Sequence, residues 1–123
     1  MFCTDAYGTD ITSVASSTAG MNKMKQEILF YKRAYEDTSQ NALWHYMLEY
    51  FVRRYTELAK ERLGTEILDT QLAYSIRFYC MGAVGMTQEW VLNDNITSAE
   101  TVVQMMFNSM PENLQKIFYI QKN

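Results

Sequence analysis

One long segment of the sequence carries apolar residues on two sides of a predicted helix, and the rest of the chain must pack around it. Apolar positions recur every three to four residues from Glu66 to Asn93, which predicts a single helix over that range. One apolar side of this helix holds Leu68, Leu72, Ile76, Tyr79, Ala83, Met86 and Trp90. The other apolar side holds Tyr74, Phe78, Met81, Gly82 and Gly85. A helix that is apolar on both sides is buried on both sides, so two different surfaces must cover it.

The second side contains two glycines in the middle of the predicted helix. Gly82 and Gly85 each cost about 1 kcal/mol relative to alanine at such a position, which indicates that another group needs the space. Small residues three apart let a second helix backbone approach closely, and a second copy of the chain is the simplest source of that helix. The alternative is that the glycines admit a bulky side chain from the same monomer. We favour the dimer.

The remainder of the sequence also predicts helices. Five Gly and one Pro, beside nine Met and nine Tyr, favour helices over a turn-rich β protein. We predict further helices over residues 21–36, from Ser39 or Asn41 to Gly64, over residues 97–109, and a short one from Pro111. Thr97 and Glu100 have the spacing of a capping box at the start of the third of these. The expected fold is an all-α helical bundle.

The sequence predicts a polar segment followed by one helical domain. Residues 1–20 are rich in Ser, Thr, Ala and Gly and lack apolar periodicity, so we expect a flexible polar arm there. The helical domain is predicted over residues 21–123, since a chain of 123 residues can bury a single core.

The charge balance and the cysteine content argue against a nucleic-acid-binding surface and against a disulfide-stabilised fold. Fourteen acidic and 11 basic residues give a net charge of −3, which argues against a nucleic-acid-binding surface. The two cysteines, Cys3 and Cys80, lie in a polar segment and an apolar helix and do not predict a disulfide framework. The N-terminus lacks a basic region before an apolar run, and no apolar stretch approaches about 18 residues. We expect a cytoplasmic protein without membrane contact.

Few residues are suited to catalysis or metal binding. His45 is the only histidine, which excludes a His-rich metal site, and its aromatic helix favours a structural role over a catalytic one. Cys80 on an apolar helix predicts a buried, inert thiol. The sequence has no phosphate-binding glycine loop, dinucleotide fingerprint or CxxC pair. We expect no enzyme activity, metal or cofactor; catalysis through His45 is the remaining enzymatic alternative.

Two stretches are rich in aromatic residues: FYKRAYEDTSQNALWHYMLEYF over residues 30–51 and RFYCMGAVGMTQEWVLNDN over residues 77–95. In the second stretch an aromatic pair precedes two glycines and a tryptophan, namely Phe78, Tyr79, Gly82, Gly85 and Trp90. This pattern resembles the C-terminal regulatory domain of TetR-family transcriptional regulators, and is most similar to the subgroup that includes activators of dihydroxyacetone kinase operons. The similarity spans about residues 21–118. The family's DNA-reading helix-turn-helix has no counterpart in residues 1–20.

The resemblance implies a domain that dimerises through its last two long helices and receives an effector in a cavity or on a surface. For the homodimer interface we predict Tyr74, Phe78, Met81, Gly82, Gly85, Val102, Met105 and Met106. For a small apolar effector we predict contacts from Tyr31, Tyr35, Asn41, Trp44, His45, Tyr79, Met86 and Trp90. We expect the effector-sensing and dimerisation domain of a regulator, with DNA bound only through a missing helix-turn-helix domain. The alternative is a helical interaction module whose effector is a protein.

Overall fold

The computed structural model describes residues 11–36, 42–94 and 96–118, and these residues form helices and no strands. The six helices are α1 (Val14–Gln26), α2 (Ile28–Glu36), α3 (Ala42–Leu63), α4 (Thr70–Asn93), α5 (Ala99–Asn108) and α6 (Glu112–Phe118). The predicted all-α fold is confirmed. Within the described residues, no helix combines the length and the apolar character needed to cross a membrane.

Side-chain caps set where these helices start. The Ser13 hydroxyl accepts a hydrogen bond from the Ser16 amide at 3.2 Å before α1. The Asp69 carboxylate accepts one from the Leu72 amide at 2.8 Å before α4. Each cap satisfies an amide that has no partner within its helix. At the end of α3, Gly64 has a φ of 67°, the left-handed conformation that commonly stops a helix.

The N-terminal helices differ from the sequence prediction. The first helix begins at Val14, inside the predicted polar arm, and the helix expected over residues 21–36 is divided at Glu27. Ile11 is buried, and its carbonyl accepts a hydrogen bond from the Tyr55 hydroxyl at 3.0 Å. The Ser- and Thr-rich composition suggested an arm, but a serine such as Ser13 also serves as a helix cap. Residues 1–10, the rest of the predicted arm, lie outside the described residues.

Two further helix starts also differ from the sequence prediction. The helix predicted from Glu66 begins at Thr70, behind the Asp69 cap. The predicted Thr97 capping box is wrong, because the Ser98 hydroxyl accepts from the Thr101 amide at 3.2 Å. The Thr97 amide instead donates to the Asp94 carboxylate at 2.8 Å. The predicted cap residues of α3, Ser39 and Asn41, lie outside the described residues.

Helix α4 is shared by two apolar clusters. Its N-terminal half joins α3, α6 and Ile11 in the first cluster, where the Tyr55 ring meets Tyr79 and Phe118 edge to face. Its C-terminal half joins α1 and α5 in the second cluster, which includes the buried Trp90. Helix α2 packs against α3 and α4 and contributes partly buried residues to the second cluster. Together these neighbours cover one side of α4.

Candidate functional site

The other side of α4 leaves large apolar side chains in water. Tyr74 and Phe78 are 68% and 66% exposed, and Met81 follows on the same side of the helix. Met86, which was predicted on the opposite apolar side, is exposed one turn after Gly82 and borders this surface. Met105 on α5 is exposed as well. We call this surface the α4–α5 face, defined by Tyr74, Phe78, Met81, Gly82, Gly85, Met86 and Met105. A contiguous group of exposed apolar residues typically marks an interaction or ligand site.

The two glycines of this face open onto free space. A Cβ built on Gly82 or on Gly85 would meet no neighbouring atom within 4 Å. The alternative that they admit a bulky side chain from the same monomer is therefore wrong for the part of the chain that the structure describes. The cost of about 1 kcal/mol for each helical glycine is not offset by packing among those residues.

A groove of about 410 Å³ runs between α4 and α5. Its walls are apolar and come from Phe78, Tyr79, Ala83 and Met86 on α4 and from Val102, Met105 and Met106 on α5. Gly82 also lines it, so the groove is wide where that residue lacks a side chain. From Phe78 to Asp94 the groove follows about 24 Å of chain, at about 1.5 Å per helical residue.

One end of the groove is polar and held by hydrogen bonds. The Trp90 indole donates to the Thr97 carbonyl at 2.9 Å, and the Lys25 ammonium lies 4.7 Å from the Trp90 ring centroid. The Asp94 carboxylate accepts from the amides of Thr97 and Ile96, each at 2.8 Å. These hydrogen bonds, that from Thr97 first, lower the pKa of Asp94 and favour its charged form.

Sequence reasoning missed this polar end. Glu89, Asp94 and Thr97 line the groove beside Trp90, but none was predicted as a site residue. The turn NDNIT carried a signal, because an aspartate that precedes two free amides commonly accepts hydrogen bonds from them. Glu89 carried no signal, since an exposed glutamate on a helix is the commonest arrangement for that residue.

The residues predicted for the dimer interface lie together. Tyr74, Phe78, Met81, Gly82, Gly85 and Met105 belong to the α4–α5 face. Met106 is half-buried and lines the groove. Val102 also lines the groove but is 7% exposed and packs in the second cluster.

The residues predicted for effector contact do not gather in one place. Tyr79, Met86 and Trp90 line the groove. Tyr31 and Tyr35 on α2 pack against the second cluster, whereas Trp44 packs against the first and His45 is exposed. Asn41 lies outside the described residues.

Tyr35 is held within the fold rather than in the groove. Its hydroxyl donates to the Met47 sulfur at 3.4 Å, and burial raises the pKa of Tyr35 to about 12. The partly buried Tyr35 side chain thus packs against the second cluster.

Cys80 and His45 show no arrangement typical of catalysis. Cys80 is a free thiol, and the prediction that it is buried is confirmed. Burial raises its pKa to about 12, which disfavours the thiolate form that acts as a nucleophile. The His45 ring is exposed and lies edge-on to Trp44 at 5.1 Å between centroids. Over the ranges the structure describes, no group of three or more His, Cys, Asp or Glu side chains could hold a metal ion.

Comparison with known families agrees with this fold. A model of TetR-type regulators, described as the transcriptional regulator C-terminal region, matches residues 18–112. The match includes α4, α5 and the residues that line the groove. No curated protein and no solved structure matches the chain significantly. Because the family model covers more than half of the sequence, the chain belongs to the family of TetR-type transcriptional regulator C-terminal regions.

Proposed function

We propose that this chain is the effector-sensing and dimerisation domain of a TetR-type regulator, and that two copies associate through the α4–α5 face. The observation that carries the proposal is the exposed apolar side of α4 with Gly82 and Gly85 open at its centre. An exposed apolar side is costly in water, and a second copy of the chain presents a surface of the same kind.

The proposed association brings the two α4 helices together at the glycines. Packed helices lie 8–10 Å apart depending on the side chains between them, and glycine permits the shorter distances. Tyr74 and Phe78 would flank the crossing on one side of the glycines. Met81, Met86 and Met105 would fill the remaining space, because the unbranched methionine side chain adapts to irregular gaps. Helices α4 and α5 of both copies would then form a four-helix bundle.

The proposed role is regulatory rather than catalytic, and it would be carried out in the cytoplasm. An effector shifts such a domain only as far as its affinity differs between two arrangements of the helices. Contact with DNA would come from a helix-turn-helix segment, which the matched region does not include. In a regulator that carries such segments, the dimer would set the spacing between the two copies of the segment.

The proposal is tested by filling the space at the glycines. We expect the wild-type chain to be a dimer by sedimentation equilibrium, and the double variant Gly82→Leu, Gly85→Leu to be a monomer. Overpacking costs about 1 to 3 kcal/mol per site, and both copies carry the change. Because the space is open within one chain, leucine at these helical positions should preserve the monomer fold, measured by circular dichroism.

A matched control is available in α1. Gly20 is also helical and surrounded by open space, but it lies outside the α4–α5 face, so Gly20→Leu should leave the dimer intact. If the double variant remains a dimer as stable as the wild type, the copies associate through another surface.

A second candidate is a module that binds a protein effector on the same face. The observation that favours it is the groove itself, which is open to solvent and lined by aromatic and methionine side chains rather than enclosed. A wild-type chain that stays monomeric at the highest concentration studied, with a folded circular dichroism spectrum, would favour this candidate over the homodimer.

A further inference from the structure

We propose further that the groove in the α4–α5 face binds an apolar organic cation, and that this ligand competes with the second copy of the chain for the face. This inference rests on the proposed homodimer. The sensed molecule would then bind at the surface where the two copies meet.

The groove has the size and walls of a small-molecule site. Its volume of about 410 Å³ lies within the roughly 300–1,000 Å³ of ligand pockets. Phe78 and Tyr79 supply aromatic rings, and Met86, Met105 and Met106 supply polarisable thioether chains. Such walls favour a ligand with aromatic or aliphatic bulk.

The charge of the groove selects the sign of the ligand. The carboxylates that line it are Glu89 and Asp94, and no lysine, arginine or histidine is among the described lining residues. An anion would be repelled by these groups, whereas a cation would be attracted to them and to the aromatic rings.

Glu89 is the carboxylate that remains for a ligand. The Asp94 carboxylate already accepts hydrogen bonds from the amides of Ile96 and Thr97. The Lys25 ammonium of α1 lies at the same end of the groove, above the Trp90 ring. Glu89 is exposed, and within the described ranges neither ion pair includes it and no hydrogen bond to it is found. The positive group of the ligand should therefore lie beside Glu89, with its apolar part toward Met86.

The same residues serve both the groove and the proposed interface. Phe78, Gly82, Met86 and Met105 line the groove and belong to the α4–α5 face. A ligand in the groove occupies space that a second α4 helix would need at the glycines. Since a ligand shifts an equilibrium toward the state that it binds more tightly, occupancy should favour the monomer.

The experiment uses tetraphenylphosphonium and tetraphenylborate, which share a shape and carry opposite charges. We expect calorimetry to detect binding of the phosphonium and not of the borate. In sedimentation velocity the phosphonium should raise the monomer fraction. Glu89→Gln should weaken phosphonium binding roughly two- to five-fold, the range expected for one partly exposed charge pair. The matched control is Glu100→Gln, which changes an exposed glutamate of α5 outside the groove. This variant should bind the phosphonium as tightly as the wild type does.

Three results would contradict the inference at different points. Equal binding of both probes, or unchanged binding in the Glu89→Gln variant, would overturn the cationic ligand and leave the homodimer standing. Phosphonium binding that leaves the monomer fraction unchanged, or that lowers it, would overturn the competition alone. A chain that is monomeric without any probe would overturn the homodimer and the competition, while binding that depends on Glu89 would still support the ligand site.

Discussion

At the scale of single residues, Tyr55 shows how the start of the described chain is tied to the core. Its ring lies between Tyr79 and Phe118, with centroid distances of 5.9 and 5.1 Å, and its hydroxyl donates to the Ile11 carbonyl at 3.0 Å. A buried carbonyl that loses its donor costs free energy because water cannot replace the hydrogen bond. The residues before α1 are thereby held against α3.

Tyr55→Phe tests this attachment. We expect the free energy of unfolding to fall by about 1 to 3 kcal/mol, because the ring stays in place while the Ile11 carbonyl loses this hydrogen bond. Urea unfolding followed by circular dichroism measures the change. Tyr74→Phe is the matched control, since the Tyr74 hydroxyl belongs to a side chain that is 68% exposed, and it should alter the stability of the monomer little. Equal stability of the two variants would contradict the attachment.

Glycine marks the limit of what residue type alone can predict. Gly82 and Gly85 were recognised from the sequence as sites that need space, because a helical glycine has a known cost. The sequence alone did not show whether another part of the same chain fills that space, because this depends on how α3, α5 and α6 pack around α4. Among the described residues of one chain, the space beside both glycines is open.

At the scale of elements, α6 completes the first cluster although it lies almost wholly beyond the matched family region. Leu114, Ile117 and Phe118 are buried against α3 and α4. The Arg62 side chain holds this helix from α3, since its Nη1 donates to the Ile117 carbonyl at 3.0 Å and its guanidinium lies 5.7 Å from the Phe118 ring centroid. The last described turn is therefore part of the core.

Phe118→Ala should test the contribution of α6. Removal of a buried phenylalanine side chain typically costs about 3 to 5 kcal/mol, a large share of the roughly 5 to 15 kcal/mol of a whole domain. We expect the thermal midpoint to fall by many degrees or the fold to be lost, as measured by calorimetry. The control Ile67→Ala changes a side chain that is 81% exposed and should shift the midpoint little. A midpoint for Phe118→Ala within a degree or two of the wild type would show that α6 does not support the core.

Helix prediction succeeded where the apolar period was long and failed where caps decided the boundary. The C-terminal end of α4 at Asn93 was predicted correctly, since apolar positions continue to Val91 and Leu92 and the NDN turn follows. The break at Glu27 was not predicted, because the sequence there contains neither glycine nor proline. The groove could not be predicted either, since its shape depends on the approach of α4 to α5 across a turn.

At the scale of the whole molecule, one side of α4 packs in the core and the other side is exposed. One side joins both apolar clusters and thus connects α1, α3, α5 and α6 into one unit. The other side stays exposed and carries the open glycines and the groove. In the proposed dimer a change at either cluster would reach the interface through the same helix, which offers a physical path between an effector and the arrangement of two copies.

The most direct measurement is the distance between spin labels on two copies of the chain. We would replace Cys3 by serine and place one label at Met81→Cys, beside the glycines, or at Leu63→Cys, which is also exposed but lies at the end of α3. The buried Cys80 thiol should stay unlabelled. Dimerisation through the α4–α5 face predicts a dipolar coupling between copies at both positions, with the shorter distance at Met81. No coupling at either position, or a shorter distance at Leu63, would contradict dimerisation through the α4–α5 face.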